Sequence, residues 1–187
     1  MRHLFYLAFL LLVGCASAPP VPQPVTRPAG AELQSFTLNG RISVKHNEGR
    51  TTSSVNWVHR SGEDEILLLS PLGQTMARIV RDADGVELEA KDKYYAAEDA
   101  GELTQQVLGW RLPLDGLQYW VLALPVPESK VSIENDANGR VSVIKQDGWE
   151  IRYTRYAAET PDSLPLRLIL KREKVEIQLL VDEWEIK

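Results

Sequence analysis

The fold class is decided by residues 36–44, which read Phe-Thr-Leu-Asn-Gly-Arg-Ile-Ser-Val. Apolar residues or glycine alternate with polar residues throughout this stretch, which is the pattern of a strand with one buried face. The pattern or a short apolar run returns along most of the chain. Further strands are predicted over 55–59, 65–69, 75–81, 86–90, 93–95, 140–145, 149–156, 166–172 and 175–186.

The last of these strands changes phase. Its apolar positions are odd-numbered from Val175 to Val181, whereas Trp184 and Ile186 are even-numbered. We therefore expect a bulge or bend near Asp182.

Two helices interrupt the strands. The first is predicted over 98–108, where Leu103, Val107 and Leu108 share a face and Gly109 ends it. The second begins with Asp115 as its cap, continues through Leu117, Trp120, Val121 and Leu124 at helical spacing, and stops at Pro125.

Closely spaced strands favour an antiparallel sheet, and one sheet of about ten strands tends to curl. The predicted fold is therefore mainly β, a strongly curved and incompletely closed antiparallel barrel with two to three helices in its open side.

The interior of such a sheet either contains an apolar cavity or is tightly packed, and the pattern does not choose between them. Alternation suggests a cavity lining of Leu38, Ile42, Trp57, Met76, Trp120, Trp149, Ile151 and Tyr153.

Composition narrows the function classes. The 187 residues are 44% hydrophobic and 25% charged, which excludes a wholly disordered chain, and the formal net charge of -5 gives no reason to expect nucleic-acid binding. A single cysteine excludes an internal disulfide and a cysteine-rich zinc site. No glycine-rich phosphate loop or Gly-x-Ser-x-Gly elbow occurs, and the acidic groups Asp82/Asp84 and Glu63/Asp64/Glu65 are interpreted as solvated turns. We expect no enzyme, no metal and no cofactor.

The N-terminus resembles a bacterial lipoprotein signal. A short basic start precedes the apolar run 4–13, and Leu12-Val13-Gly14-Cys15 ends it with the only cysteine. The alternative is an ordinary export signal cut near 16–18. The lipoprotein interpretation makes 1–14 the signal, Cys15 the lipid attachment site, 15–31 a proline-rich tether and 32–187 one folded domain. Ala16, rather than Asp, after the cysteine favours the outer membrane.

The turn Ser70-Pro71-Leu72-Gly73-Gln74 places an apolar residue between two residues typical of tight turns. Leu72 either folds back onto the sheet or projects as a contact to a membrane or partner. The first alternative makes it a core residue, and the second makes it functional.

The motifs taken together resemble one family. They are residues 36–44, Trp57, residues 67–73, residues 109–114, Leu117, Trp120, residues 146–151, Tyr153, Pro165, Leu168 and Trp184, in this order behind the lipoprotein signal. The chain is identified as a member of the outer-membrane lipoprotein receptor family LolB.

The resemblance implies an eleven-stranded unclosed barrel with helices over its mouth. It implies a monomer, lipid-anchored on the periplasmic face of the outer membrane of a Gram-negative bacterium. Its partners would be the periplasmic carrier LolA, acylated lipoprotein cargo and outer-membrane phospholipid. Acyl chains would occupy the cavity, and Leu72, held by Pro71 and Gly73, would act in membrane insertion. The alternative from the residues is a lipid-anchored structural or assembly module with a filled core; a lipid-modifying hydrolase lacks a nucleophile elbow.

Overall fold

The computed structural model describes residues 35–47 and 49–186, which form eleven strands and two helices. The strands are β1 (Phe36–His46), β2 (Gly49–Arg60), β3 (Glu63–Leu69), β4 (Thr75–Asp82), β5 (Gly85–Ala90), β6 (Lys93–Ala97), β7 (Val131–Asn135), β8 (Val141–Gln146), β9 (Trp149–Tyr156), β10 (Pro165–Arg172) and β11 (Val175–Ile186). The helices are α1 (Ala100–Leu108) and α2 (Leu114–Trp120). The signal and tether interpretations fall on residues 1–34, outside this range.

All eleven strands belong to one antiparallel sheet, in the order β6-β5-β4-β3-β2-β1-β11-β10-β9-β8-β7. Among the described residues, the outermost strands β6 and β7 pair only on their inner sides. The sheet is therefore open along one line, which confirms the prediction of an incompletely closed structure and shows that it is not a true barrel.

The central strand β1 has the predicted alternation, with Phe36, Leu38, Ile42 and Val44 buried. Its partner β11 contains the expected bulge. Asn39 pairs with Glu183 and Gly40 with Val181, which leaves Asp182 as the extra residue. A Cβ on Gly40 would lie 2.2 Å from the backbone oxygen of Leu180, so only glycine fits this close approach.

The helices lie between β6 and β7 in the chain, and α1 packs against β5 and β6. Asp99 caps α1 by accepting a 2.6 Å hydrogen bond from the Glu102 N–H, and Gly109 ends the helix as predicted. The prediction for α2 is wrong at both ends. Pro113 occupies the cap position and Asp115 lies inside the first turn, while the helix stops at Trp120, before Pro125.

Strand β7 has no counterpart among the strands predicted from the residues. Its five residues are all exposed, including Val131 and Ile133, so neither of its faces is covered. A strand without a buried face gives a weak periodic signal, so alternation over five residues did not reveal it.

Candidate functional site

A cavity of about 460 Å³ opens at one end of the sheet, within the size range of pockets that hold small ligands. It lies between the inner face of β1 to β6 and the C-terminal part of α1. Its wall is more apolar than polar, and its polar groups come from Thr51, Ser53, Lys91, Lys93 and Tyr95. The lining residues are Ile42, Val44, Thr51, Ser53, Leu68, Met76, Ala77, Ala90, Lys91, Lys93, Tyr95, Val107, Leu108 and Trp110.

A second, much smaller void of about 20 Å³ lies deeper in the same core, and all its lining residues are apolar. Ile42, Leu68 and Trp110 line both spaces and so form the wall between them.

The 70–74 turn lies at the same end of the sheet as the larger cavity. Gly73 donates its N–H to the Ser70 oxygen at 2.9 Å and has φ +79°, a conformation that favours glycine. The Ser70 hydroxyl accepts from the Gln74 N–H at 3.1 Å, which ties the base of the turn. Leu72 is 88% exposed at the tip, so the fold-back alternative is wrong.

The suggested cavity residues fall into three groups. Ile42 and Met76 line the larger cavity, and Trp57 lines the small void. Trp120 and Trp149 lie beside a separate, more polar cleft of about 680 Å³ between the helices and the β8–β9 and β10–β11 turns. Three residues are buried but lie outside all these linings: Leu38, Ile151 and Tyr153.

Tyr153 and Trp120 instead fix helix α2 to the sheet. The Tyr153 hydroxyl donates to the Trp120 backbone oxygen at 2.7 Å. The Trp120 indole N–H donates to the buried Gln146 side chain at 3.0 Å. Because both groups are hydrogen-bonded within the core, they hold helix α2 against the sheet, although Trp120 also borders the polar cleft.

A buried polar cluster at the opposite end of the sheet was missed. Asp64 is 2% exposed, so its interpretation as a solvated turn residue is wrong. Its carboxylate accepts from the Trp57 indole N–H at 2.7 Å and from Arg81 at 2.5 Å, and its Oδ1 lies 2.8 Å from His59 Nδ1. The signal was available, since Asp64 shares its phase along β3 with the inward-facing Ile66 and Leu68.

Arg81 extends this cluster to helix α2. It donates to Asp115 at 2.6 Å and to Gln118 at 2.8 Å, while it also pairs with Asp64. Burial alone would raise the pKa of Asp64, but the hydrogen bond with His59 and the charge of Arg81, together with the Trp57 hydrogen bond, hold it below its usual value. The carboxylate is therefore a charged structural link between β2, β3 and β4, and Arg81 extends this link to α2.

Within the described ranges, no group of three or more His, Cys, Asp or Glu residues could hold a metal ion. Neither helix in this part of the chain has the length and apolar character needed to cross a membrane. The features that stand out are thus an apolar cavity and an exposed leucine beside its mouth.

Comparison with known proteins gives the family. The profile described as outer membrane lipoprotein LolB matches residues 34–184. The chain belongs to the LolB family. A relative from Nitrosomonas europaea, named outer-membrane lipoprotein LolB, is 40% identical, over 94% of this chain and 88% of its own. Another of the same name, from Thiobacillus denitrificans, is 39% identical, over 99% of this chain and 98% of its own.

Solved structures support the fold. A LolA superfamily protein from Nitrosomonas europaea superposes with a TM-score of 0.53, covering 87% of this chain and 89% of its own at 7% identity. A domain from Vibrio parahaemolyticus, described as an outer-membrane lipoprotein-sorting protein, gives 0.50 over 84% and 87% at 8% identity. Membership of the LolB family identifies this LolB homologue as an outer-membrane lipoprotein and not an enzyme.

Proposed function

We propose that this LolB homologue accepts acylated lipoproteins from the periplasmic carrier LolA, holds their acyl chains in its cavity and releases them into the outer membrane. The observation that carries the proposal is the cavity of about 460 Å³, which has mostly apolar walls and opens beside the exposed Leu72. An acyl chain gains roughly 0.8 kcal/mol for each CH₂ that leaves water. Mostly apolar walls supply the environment that this transfer needs.

The direction of transfer follows from relative affinity. Transfer without an energy source runs downhill when the acceptor binds the acyl chains more tightly than the carrier does and the bilayer binds them more tightly again. A leucine held at a turn tip contributes about 1.5–3 kcal/mol when it enters an apolar layer, which brings the cavity mouth to the bilayer without fixing it there.

The lipid anchor forms part of the same proposal. Cys15 is the only cysteine, and it follows an apolar run and a small residue. We expect wild-type cells to incorporate labelled palmitate into this protein and cells carrying Cys15→Ala to lose that label. Label that persists in the variant would contradict attachment at Cys15.

The transfer step is tested with a lipoprotein radiolabelled in its acyl chains and loaded on LolA. The acceptor is the chain from Ala16 onward, which lacks the signal and Cys15 but keeps every core residue, since the core runs from Phe36 to Trp184. We expect label to move to the acceptor and then to added liposomes, whereas the non-acylated lipoprotein should not bind. Failure of the label to move would contradict the proposal and favour a structural module.

A further inference from the structure

Tyr94 is the second exposed feature at the cavity end of the sheet. Its side chain is 74% exposed, and the exposed Leu72 and Met76 lie at the same end of the neighbouring strands. Tyr94 is on β6, directly after the tight β5–β6 turn in which Lys91 and Asp92 have φ +53° and +59°. We call the 70–74 turn, Met76 and residues 91–94 together the turn face.

The register places the two halves of the turn face side by side. Ala77 pairs with Ala90, and Ala90 with Lys93, so the β5–β6 turn adjoins the start of β4. Met76, Lys91 and Lys93 line the same cavity mouth. Leu72 and Tyr94 therefore lie at the same end of neighbouring strands, Tyr94 on the outer face of the sheet next to the cavity-lining Lys93.

We propose that the turn face is a bilayer-docking surface on which Tyr94 makes the second contact, at the level of the lipid headgroups, while Leu72 enters the hydrocarbon. This inference rests on the proposed function, because it assigns the surface from which cargo would leave. The occupant is a phospholipid bilayer.

The depth of the two side chains fits a bilayer. Tyr94 pairs with Glu89, Glu89 with Arg78 and Arg78 with Leu67, so these residues form one row across four strands. The 70–74 turn begins three residues beyond Leu67. Leu72 thus projects roughly 10 Å further than Tyr94 along the strand direction. The headgroup region is roughly 5–8 Å thick on each side of the hydrocarbon, so a leucine that reaches at least about 2–5 Å into the hydrocarbon leaves the tyrosine within the headgroups.

The chemistry of the turn face also fits. Tyrosine is enriched where membrane meets water, because its ring is apolar and its hydroxyl remains hydrated. Lys91 and Lys93 are long enough to reach the headgroups while their stems contact apolar groups. Tyr94 donates its hydroxyl hydrogen to Glu89, which raises the pKa of that hydroxyl and keeps it neutral.

The charges near the turn face are balanced. Lys91 and Lys93 flank Asp92. Arg78 forms an ion pair with Glu65 at 2.7 Å and faces Glu89 across the strands. Three basic residues thus accompany three acidic ones. Attraction to anionic lipid is therefore small, and docking should depend on apolar and interfacial contacts.

The chain outside the described residues allows this orientation. β1 begins at the far end of the sheet, because Phe36 pairs with His59, close to Asp64 rather than to the 70–74 turn. From the level of Asp64 to Leu69 is about 17 Å of strand. The chain between Cys15 and Ser35 can span about 60 Å when extended. The chain from a lipid on Cys15 is therefore long enough to reach the far end of the domain while the turn face contacts the same bilayer.

The experiment uses the chain from Ala16 onward, in which an introduced cysteine is unique. Leu72→Cys, Tyr94→Cys and, as a control on the free edge, Ser132→Cys each carry an environment-sensitive fluorophore. Vesicles of phosphatidylethanolamine and phosphatidylcholine carry quenchers either in the headgroup or deep in the acyl chain. We expect deep quenching at Leu72, headgroup quenching at Tyr94 and neither at Ser132.

A matched pair of substitutions tests the energetics. Tyr94→Ser should lower vesicle binding roughly tenfold, since half-burial of an aromatic ring is worth about that factor, whereas Tyr94→Trp should preserve it. Replacing part of the neutral lipid with phosphatidylglycerol should change binding less than twofold.

A fluorophore at Tyr94 that stays in water while Leu72 inserts would overturn the inference. A response at Tyr94 to LolA but not to vesicles would also overturn it, and would assign the turn face to the carrier. Either result leaves the cargo-transfer assay unaffected, so the failure of this inference is distinguishable from failure of the proposed function.

Discussion

Trp57 on β2 and Asp64 on β3 are diagonal neighbours on adjacent strands, and the indole N–H donates a 2.7 Å hydrogen bond to the carboxylate within the core. Trp57 also lies edge-on to Phe36, with ring centroids 5.1 Å apart. One side of this indole therefore contacts the small apolar void and its edge contacts a charge. The carboxylate is tolerated there because three donors surround it.

Loss of that carboxylate should destabilise the whole domain. In Asp64→Ala the buried Trp57 N–H and the largely buried Arg81 lose their acceptor. Removing one member of a buried ion pair costs about 3–5 kcal/mol of unfolding free energy. Chemical denaturation measures this loss, with Asp84→Ala at an exposed turn as the control. A change below about 1 kcal/mol would show that the cluster contributes little to stability.

Acid should unfold the protein partly through Asp64. The pKa of this group is lowered in the folded protein, so its contribution to stability is complete above about pH 4, the ordinary aspartate value, and is lost as the pH falls through the lower folded pKa. We expect the unfolding free energy of Asp64→Asn to fall less steeply than that of the wild type below pH 4. Equal slopes from melts at several pH values would count against this origin of acid sensitivity.

Gly40 should be irreplaceable where β1 crosses the bulge of β11. In Gly40→Ala the new Cβ would lie 2.2 Å from the Leu180 backbone oxygen, so the two strands must separate. We expect a loss of about 1–3 kcal/mol, as for an overpacked core. Gly49→Ala is the matched control in β2, where the nearest atom is 3.8 Å away. Similar melting temperatures for the two variants would refute the steric argument.

The strands could be predicted because one buried face imposes a strict period of two. The phase change in β11 even located the bulge at Asp182. The same rule was misapplied at Asp64, because Asp64 stands between Glu63 and Glu65 and the three together look like a solvated turn. The alternation of β3, in which Asp64 is two residues before the buried Ile66, places Asp64 on the buried face. The rule could not find β7, which buries no face.

The cavity was harder to predict because alternation shows which side chains face inward but not what fills the interior. Leu38 and Ile151 face inward and are fully buried, as expected for core residues. Trp110 and Ser53, which were not among the suggested lining residues, do line the larger cavity. Whether they face an open space depends on where α1 ends and on how it packs against β5 and β6, and both are tertiary features. The exposure of Leu72 was likewise undecidable from its turn residues alone.

Leu72→Glu should separate cargo release from cargo receipt. Because Leu72 fills no core space, the melting temperature should be nearly unchanged. The variant should take acylated cargo from LolA at the normal rate, but release to liposomes should fall strongly, since a carboxylate resists entry into hydrocarbon. Transfer of labelled lipoprotein, run beside a melting curve, measures both steps.

The matched control for that charge is Gln74→Glu, which places a carboxylate in the same turn and keeps Leu72. Its release should stay close to wild type. If both variants release cargo poorly, negative charge near the bilayer is responsible and the leucine side chain is not. A large drop in the melting temperature of Leu72→Glu would instead show that the tip supports the fold.

Ser53→Phe should close the cavity without disturbing the sheet. Ser53 is 6% exposed on the inner face of β2 and lines the larger cavity, so a phenyl ring there projects into open apolar space rather than into packed atoms. We expect stability equal to or above that of the wild type, because the ring buries apolar surface. Binding of a fluorescent fatty acid should fall at least tenfold.

Ser54→Phe is the matched control. Ser54 is the next residue along β2 and faces the outside of the sheet, so this variant carries the same ring outside the cavity. Acyl binding that survives Ser53→Phe, in a variant that melts like the wild type, would place the acyl chains elsewhere, with the cleft beside Trp120 and Trp149 as the next site to block.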